Sequence, residues 1–263
     1  MGRTVEFTLR ELENDALVVF IDLLGTRKLY ESQLPTSEQA LKIYRTLVGE
    51  FDIKFSEHFP QNKFKEKFNV HIFGDSIVIS PRIKIHDVVR QLVDFLLEYQ
   101  ASLLLNFETP SRAIVTKNSF FSLKINHASK ESTLDSPYTN ISICGGGGIK
   151  FVDEIIKGLP IGVYITKRIK NGLSQEQEKR VIPVRQEVEE DLFFIKQEKE
   201  IDFALRLLPR KTINILSSNP NASRKSIVNT LKASCSNKEI LNKVLPLILV
   251  HLGKENEIIR SKS

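Results

Sequence analysis

Two short apolar runs, each carrying a single aspartate, constrain this chain more than any other feature. "ALVVFIDLLG" (16–25) is continuously apolar, rich in β-branched residues at its centre and ended by Gly25, so it predicts a buried strand whose only interior charge is Asp22. "FNVHIFGDSIVIS" (68–80) shows the strand pattern on both sides of Gly74 and Asp75, which predicts a hairpin with Asp75 in its turn. A carboxylate beside apolar strands is costly to desolvate unless something neutralises it.

The segments around these runs alternate helix and strand. "PTSEQALKIYRTLVGEFDIKF" (35–55) offers Thr36 or Ser37 as N-cap and places Leu41, Tyr44, Leu47, Val48, Phe51 and Phe55 at helical spacing. Pro81 ends the second arm of the hairpin. "HDVVRQLVDFLLEYQASLLLNF" (86–107) then predicts a helix with Val88, Leu92, Phe95, Leu96, Tyr99 and Leu103 on one broad face. "SRAIVTKNSFF" (111–121) predicts a fourth strand. After a polar stretch over 122–144, "GGGGIKFVDEIIKG" predicts a short helix and "LPIGVYITKRI" a fifth strand. The order β-α-β-β-α-β is the split, ferredoxin-like motif, an α+β class. One more strand, "DLFFIK", and helices over "EIDFALRLL", "SRKSIVNTLKAS" and "NKEILNKVLPLILVHL" follow. The chain is thus divided at 1–198, a catalytic unit, and 199–263, a helical extension.

Composition matters mainly for what it excludes. No apolar run reaches the ~18 residues of a membrane span, and "MGRTVEFTLRELEND" lacks the apolar stretch of a signal peptide. A cytoplasmic protein without a membrane partner is expected. The net charge of +6 suits an anionic ligand such as a nucleotide, but the lysines are scattered without aromatic interleaving, so no nucleic acid is expected as partner. Cys144 and Cys235 imply neither a disulfide framework nor a zinc site, and the five histidines show no ligand spacing. The glycines 145–148 are not a Walker loop, because Lys150 follows Ile149 and precedes Phe151; they read as a flexible joint before the helix. "LLGTRK" (23–28) is the better phosphate site, where Gly25 and Thr26 permit close approach and Arg27 or Lys28 adds charge.

In the split topology the first strand lies beside the hairpin of the second and third, so Asp22 and Asp75 converge at one edge. Two apposed carboxylates repel, and a hard divalent ion neutralises them; magnesium is commonly held by one or two carboxylates plus substrate phosphates. "VVFIDLLG" and "HIFGDSIVIS" resemble the two metal-binding segments of class III nucleotidyl cyclases, most closely the bacterial pyrimidine cyclases of the Pycsar anti-phage system. In those cyclases a segment Arg-Gly-Ala-Ile-Thr-x-Gly follows at the fourth strand. "RAIVTKNSFF" lines up with it, keeping Arg112 and placing Ala113 and Asn118 at the glycine positions. The resemblance covers residues 16–170.

The resemblance implies a cyclase core in which two divalent ions, Mg²⁺ or Mn²⁺, are held by Asp22, the carbonyl of Leu23 and Asp75. It implies phosphate contacts from Arg112 and Lys150, with Gly25 and Thr26 beside the substrate. The reaction would convert a nucleoside triphosphate, UTP or CTP, to a 3′,5′-cyclic nucleotide that acts on a separate effector during phage infection. It further implies a homodimer with composite active sites. The chain departs from the family where an asparagine and, four residues on, an arginine are expected: Lys150 and Glu154 stand there. That departure motivates the alternative of a catalytically degenerate cyclase-fold binding or dimerisation module. A basic nucleic-acid-binding domain is a third reading, distinguished by strongly salt-dependent binding.

Overall fold

The computed structural model describes residues 5–24, 37–60, 67–73, 75–81, 87–107, 109–127, 141–156, 158–185, 191–197, 208–219, 221–235, 238–255 and 258–259. The first half follows β1 (Val5–Leu23), α1 (Ser37–His58), β2 (Phe68–Phe73), β3 (Ser76–Pro81), α2 (Val88–Phe107) and β4 (Ser111–His127). Then come β5 (Ile141–Gly145), α3 (Gly147–Ile156), β6 (Gly162–Thr166), two single-turn helices α4 (Lys167–Lys170) and α5 (Gln175–Glu178), β7 (Val181–Arg185) and β8 (Leu192–Ile195). The C-terminal part comprises α6 (Arg210–Ser218), α7 (Arg224–Ser234), α8 (Lys238–His251) and β9 (Ile258–Ile259).

The strands form one sheet in the order β2-β3-β1-β4-β6-β8-β7-β9, with β5 pairing β4 off this path. Its first four strands lie in the order of the split β-α-β-β-α-β motif, so the α+β class and the expected neighbours of the first strand are observed. β1 pairs antiparallel with β3 on one side and with β4 on the other, and helices cover both of its faces, so Val18 is buried on one and Val19 and Ile21 on the other. Phe73 pairs with Ser76, so the two arms of the hairpin close there and Asp75 lies in the connection between them.

Several strands exceed their expected lengths. β1 starts at Val5 rather than near 16, and β4 continues to His127 beside it. The apolar alternation Val5, Phe7, Leu9 changes phase at Leu12, where the β1–β4 register shifts between Leu9 and Glu11; a second shift lies between Glu13 and Ala16. Each bulge inverts the inside-outside alternation, which hides one continuous strand from a period-two reading. β5 lies within the expected polar connection. The glycine joint after it is a tight one: Gly146 has φ +121, and a Cβ there would stand 2.4 Å from the carbonyl oxygen of Ser119. β7 and β9 were not anticipated either, and neither was α6; the expected helix over 200–208 falls mostly outside the described residues.

Helices cover the sheet on both faces. On one, α1 and α2 pack Leu47, Phe51, Leu92, Phe95, Leu96 and Tyr99 against Val19, Ile21, Ile77, Ile79, Ala113 and Val115. The rings interlock, Phe51 meeting Phe95 edge-on at 5.5 Å and Phe95 stacking on Tyr99 at 5.6 Å. The α1 stripe is narrower than its spacing suggests, since Leu41 and Val48 remain 47% and 38% exposed. On the opposite face, α3, α7 and α8 bury Val152, Ile155, Ile227, Leu231, Leu241, Val244, Leu247 and Ile248 with Val18, Phe20, Val78, Ile114 and Tyr164. The C-terminal helices therefore share a core with the sheet, and β9 adds to its β7 edge.

Candidate functional site

Strand alternation decides which face Asp22 meets. Phe20 and Leu24 belong to the α3–α8 face while Ile21 and Leu23 belong to the α1–α2 face, so Asp22 projects toward α3–α8. Arg112 alternates with Ile114 in the same way and is the register partner of Asp22 across β1–β4. The two side chains meet: Arg112 Nε donates to Asp22 Oδ2 at 2.8 Å, and a terminal guanidinium nitrogen lies 2.8 Å from the same oxygen in an ion pair. The other guanidinium nitrogen of Arg112 donates to the Leu159 carbonyl at 3.3 Å, in the connection between α3 and β6. The pair is well covered, with side-chain exposures of 9% for Arg112 and 17% for Asp22.

Asp75 lies on the other side of β1. Asp22 is opposite Ser76, and the Leu23 N–H donates to the Asp75 carbonyl at 3.1 Å, which ties the end of β1 to the hairpin turn. Backbone pairing thus brings Asp22 and Asp75 to the same strand end. Burial raises the Asp22 carboxyl above its ordinary range, although Arg112 opposes this through its charge and its hydrogen bond; Asp75 raises it further, and Lys243 of α8 lowers it. One further carboxylate and two cations therefore lie within electrostatic reach of Asp22.

The other expected site residues are placed less favourably. Gly25 and Thr26 lie outside the described residues, as do Arg27 and Lys28. Lys150 is exposed on α3. That helix stands over Val18, because a Cβ on Gly148 would lie 3.4 Å from the Val18 side chain. Val18 is four residues, or ~13 Å, down β1 from Asp22. The residue that sequence reasoning missed is Lys243. Its only signal is position: one turn before the buried Leu247, it borders the apolar stripe of α8.

Among the described residues no group of three or more His, Cys, Asp or Glu side chains gathers as a metal cage. The donor set is Asp22 Oδ1, the oxygen not taken by Arg112, with the Asp75 carboxylate and the Leu23 carbonyl at the same strand end. This suits a hard ion that arrives with phosphate oxygens and keeps water, rather than one enclosed by protein. Elsewhere Cys144 and Cys235 are free thiols, and burial pushes Cys144 up to about 11. No described helix is long and apolar enough to cross a membrane.

No known family profile matches the chain, and no curated protein matches it. Among solved structures it is similar to a bacterial light-regulated adenylyl cyclase, at 14% identity and a TM-score of 0.47, over 74% of this chain and 97% of the other. It is also similar to adenylate cyclases from Trypanosoma brucei in their monomeric state, at 11% identity and a TM-score of 0.41, over 68% of this chain and 87% of the other.

Proposed function

We propose that the chain is a metal-dependent nucleotidyl cyclase that converts a nucleoside triphosphate to a 3′,5′-cyclic nucleotide and pyrophosphate. The observation that carries this reading is the backbone pairing that brings Asp75 to the strand end where Asp22 and Arg112 meet. In the reaction the ribose 3′-oxygen bonds to the α-phosphorus, the bond from that phosphorus to the β-phosphate oxygen breaks, and the hydroxyl proton leaves to solvent or a phosphate oxygen.

Asp22, the Leu23 carbonyl and Asp75 are the ligands for Mg²⁺ or Mn²⁺, taken as two ions. When bound, such ions supply Lewis-acid stabilisation of charge on the triphosphate and acidify the attacking hydroxyl. The chain's own contributions follow from its geometry. Arg112 engages Asp22 Oδ2 through a hydrogen bond from Nε and an ion pair, leaving Oδ1 as donor. The Leu23 to Asp75 backbone bond sets the spacing between the carboxylates. Gly25 and Thr26 follow directly in the chain and are read as phosphate-contacting backbone. Lys150, exposed on α3, is read as a phosphate contact in the site of a second copy, in a homodimer with composite sites. UTP or CTP is the substrate and a separate effector in anti-phage defence the receiver, as the resemblance of "VVFIDLLG" and "HIFGDSIVIS" implies. A cytoplasmic location accords with that role.

The test is incubation with each of four labelled ribonucleoside triphosphates and Mn²⁺, with identification of the product. The expected result is one cyclic nucleotide, lost in Asp75→Asn; turnover that survives in Asp75→Asn with unchanged metal dependence overturns the assignment. One observation favours a second reading, a cyclase-fold binding module without turnover: Asp22 is committed to Arg112, and Glu154 stands at the expected arginine position. Triphosphate binding without any product would establish it.

A further inference from the structure

The start of β4 meets α2 on the face opposite to Asp22 and Arg112. Ser111 pairs with Leu23 of β1 and precedes Arg112, so strand alternation turns its side chain toward the α1–α2 layer. The Gln100 carboxamide of α2 donates to the Ser111 carbonyl at 2.8 Å, and Gln197, just past β8, donates to Gln100 Oε1 at 3.3 Å. These three residues border a cavity of about 20 Å³ whose other walls include Leu104, Pro110 and Ile161. No residue lining it is charged. Ser111 is 4% exposed, and its buried hydroxyl has no hydrogen-bond partner among the described residues. A buried hydroxyl without a partner keeps the full cost of its desolvation, so a native fold seldom leaves one unanswered.

We propose that this cavity is a binding site for one ordered water molecule, which joins the Ser111 hydroxyl to the Gln100–Gln197 carboxamide chain. Size, charge and hydrogen bonding agree on that ligand. A cavity needs roughly 10–15 Å³ to hold a water. The space beside Ser111 meets that need and admits little that is larger. An ion entering a lining without charged groups gives up its hydration and finds no counter-charge. A bound water needs several polar partners, and they are at hand: the Ser111 hydroxyl both donates and accepts, and the Gln197 carboxamide keeps an oxygen and a second N–H beyond its bond to Gln100. The water bridge ties α2 and the segment after β8 to the start of β4, one residue before Arg112. Because the cavity lies on the α1–α2 face, this inference is independent of the cyclase reading.

The test pairs a high-resolution crystal structure of the full chain with thermal unfolding of Ser111→Ala. The expected structure shows a single water within hydrogen-bond distance of Ser111 Oγ and of the Gln100 or Gln197 carboxamide. Ser111→Ala removes one anchor of that water, and its unfolding midpoint is expected about 2–4 °C below wild type, the shift that one lost hydrogen bond produces in a chain of this size. A midpoint equal to or above wild type overturns the bridge, because deleting a hydroxyl that has no partner is neutral or stabilising. A wild-type cavity that is empty, or that holds a molecule larger than water, overturns the proposal as well. Should Ser111→Ala fail to fold, the wild-type structure decides alone.

Discussion

On the α1–α2 face the strands present Val19, Ile21, Ile77, Ile79, Ala113 and Val115, and the helices answer with Phe51, Phe95, Leu96 and Tyr99. On the α3–α8 face the same strands alternate aliphatics with polar groups that are also buried: Asn69, Ser76, Ser80, Arg112, Thr116 and Thr166. Among the described residues of these strands, Ser111 is the one buried polar side chain that turns the other way. A buried polar group costs free energy unless it is hydrogen-bonded. Some of the polar set is satisfied internally, as where the Thr166 hydroxyl meets that of Thr116 at 3.4 Å. Asp22 and Arg112 form a buried ion pair, which is weak evidence for stability because replacing such a pair by apolar residues is often neutral. The first face is organised for packing, and the second carries groups whose placement packing does not explain.

The comparison can be broken from either side. The largest effect is expected from deleting residues 238–263. Five buried side chains of α8, at about 2 kcal/mol each, amount to roughly 10 kcal/mol, close to the whole stability of a domain. Aggregated or unfolded protein in sedimentation and circular dichroism is expected; a soluble, cooperatively folded truncation would mean that the second face does not depend on its C-terminal cover. Next comes Phe95→Ala, with about 3–5 kcal/mol lost in denaturant unfolding. Affinity for Mn²⁺-tripolyphosphate should be unchanged where the variant is folded, and a selective loss of binding would contradict a purely structural first face.

Arg112→Gln is expected to cost about 2–3 kcal/mol, less than a fully buried pair because Asp22 keeps some solvent contact. Unlike Phe95→Ala, it should also weaken metal-dependent polyphosphate binding. Stability loss without binding loss would place Arg112 in the packing category. The smallest effect concerns Cys144. With its thiol held at about 11 rather than 9.0, the thiolate fraction at pH 8 is about a hundredfold below that of an open thiol. Alkylation of Cys144 should stay slow at pH 8 and accelerate only as the pH approaches 11; fast labelling at pH 8 would show that this part of β5 opens.

The parts of the fold legible in sequence are those where local pattern and tertiary demand coincide. β1 from residue 16, the β2–β3 hairpin and α2 each announce themselves because one element buries one continuous apolar set. The longer β1–β4 ribbon did not, because its bulges at 9–11 and 13–16 invert the alternation. β7 and β9 escaped for another reason: "VIPVR" and "II" are too short to carry a period, and their pairing partners, β8 and β7, stabilise them. Asp22 and Asp75 were legible as isolated charges in apolar strands, and their approach followed from strand order. Lys243 was not, since a lysine on the flank of an amphipathic helix is indistinguishable from any solvated one until the helix is docked.

Residue chemistry and short-range periodicity thus specified the strands, the two-helix layer and the two carboxylates, because each of these depends on neighbours within a few residues. Which face Asp22 turns to, that Arg112 takes one of its oxygens, and that α8 brings the charge of Lys243 within electrostatic reach of it were decided by pairing and packing between segments 90 or more residues apart. Contacts across such distances arise from the joint burial of faces, and no local stretch of sequence encodes them.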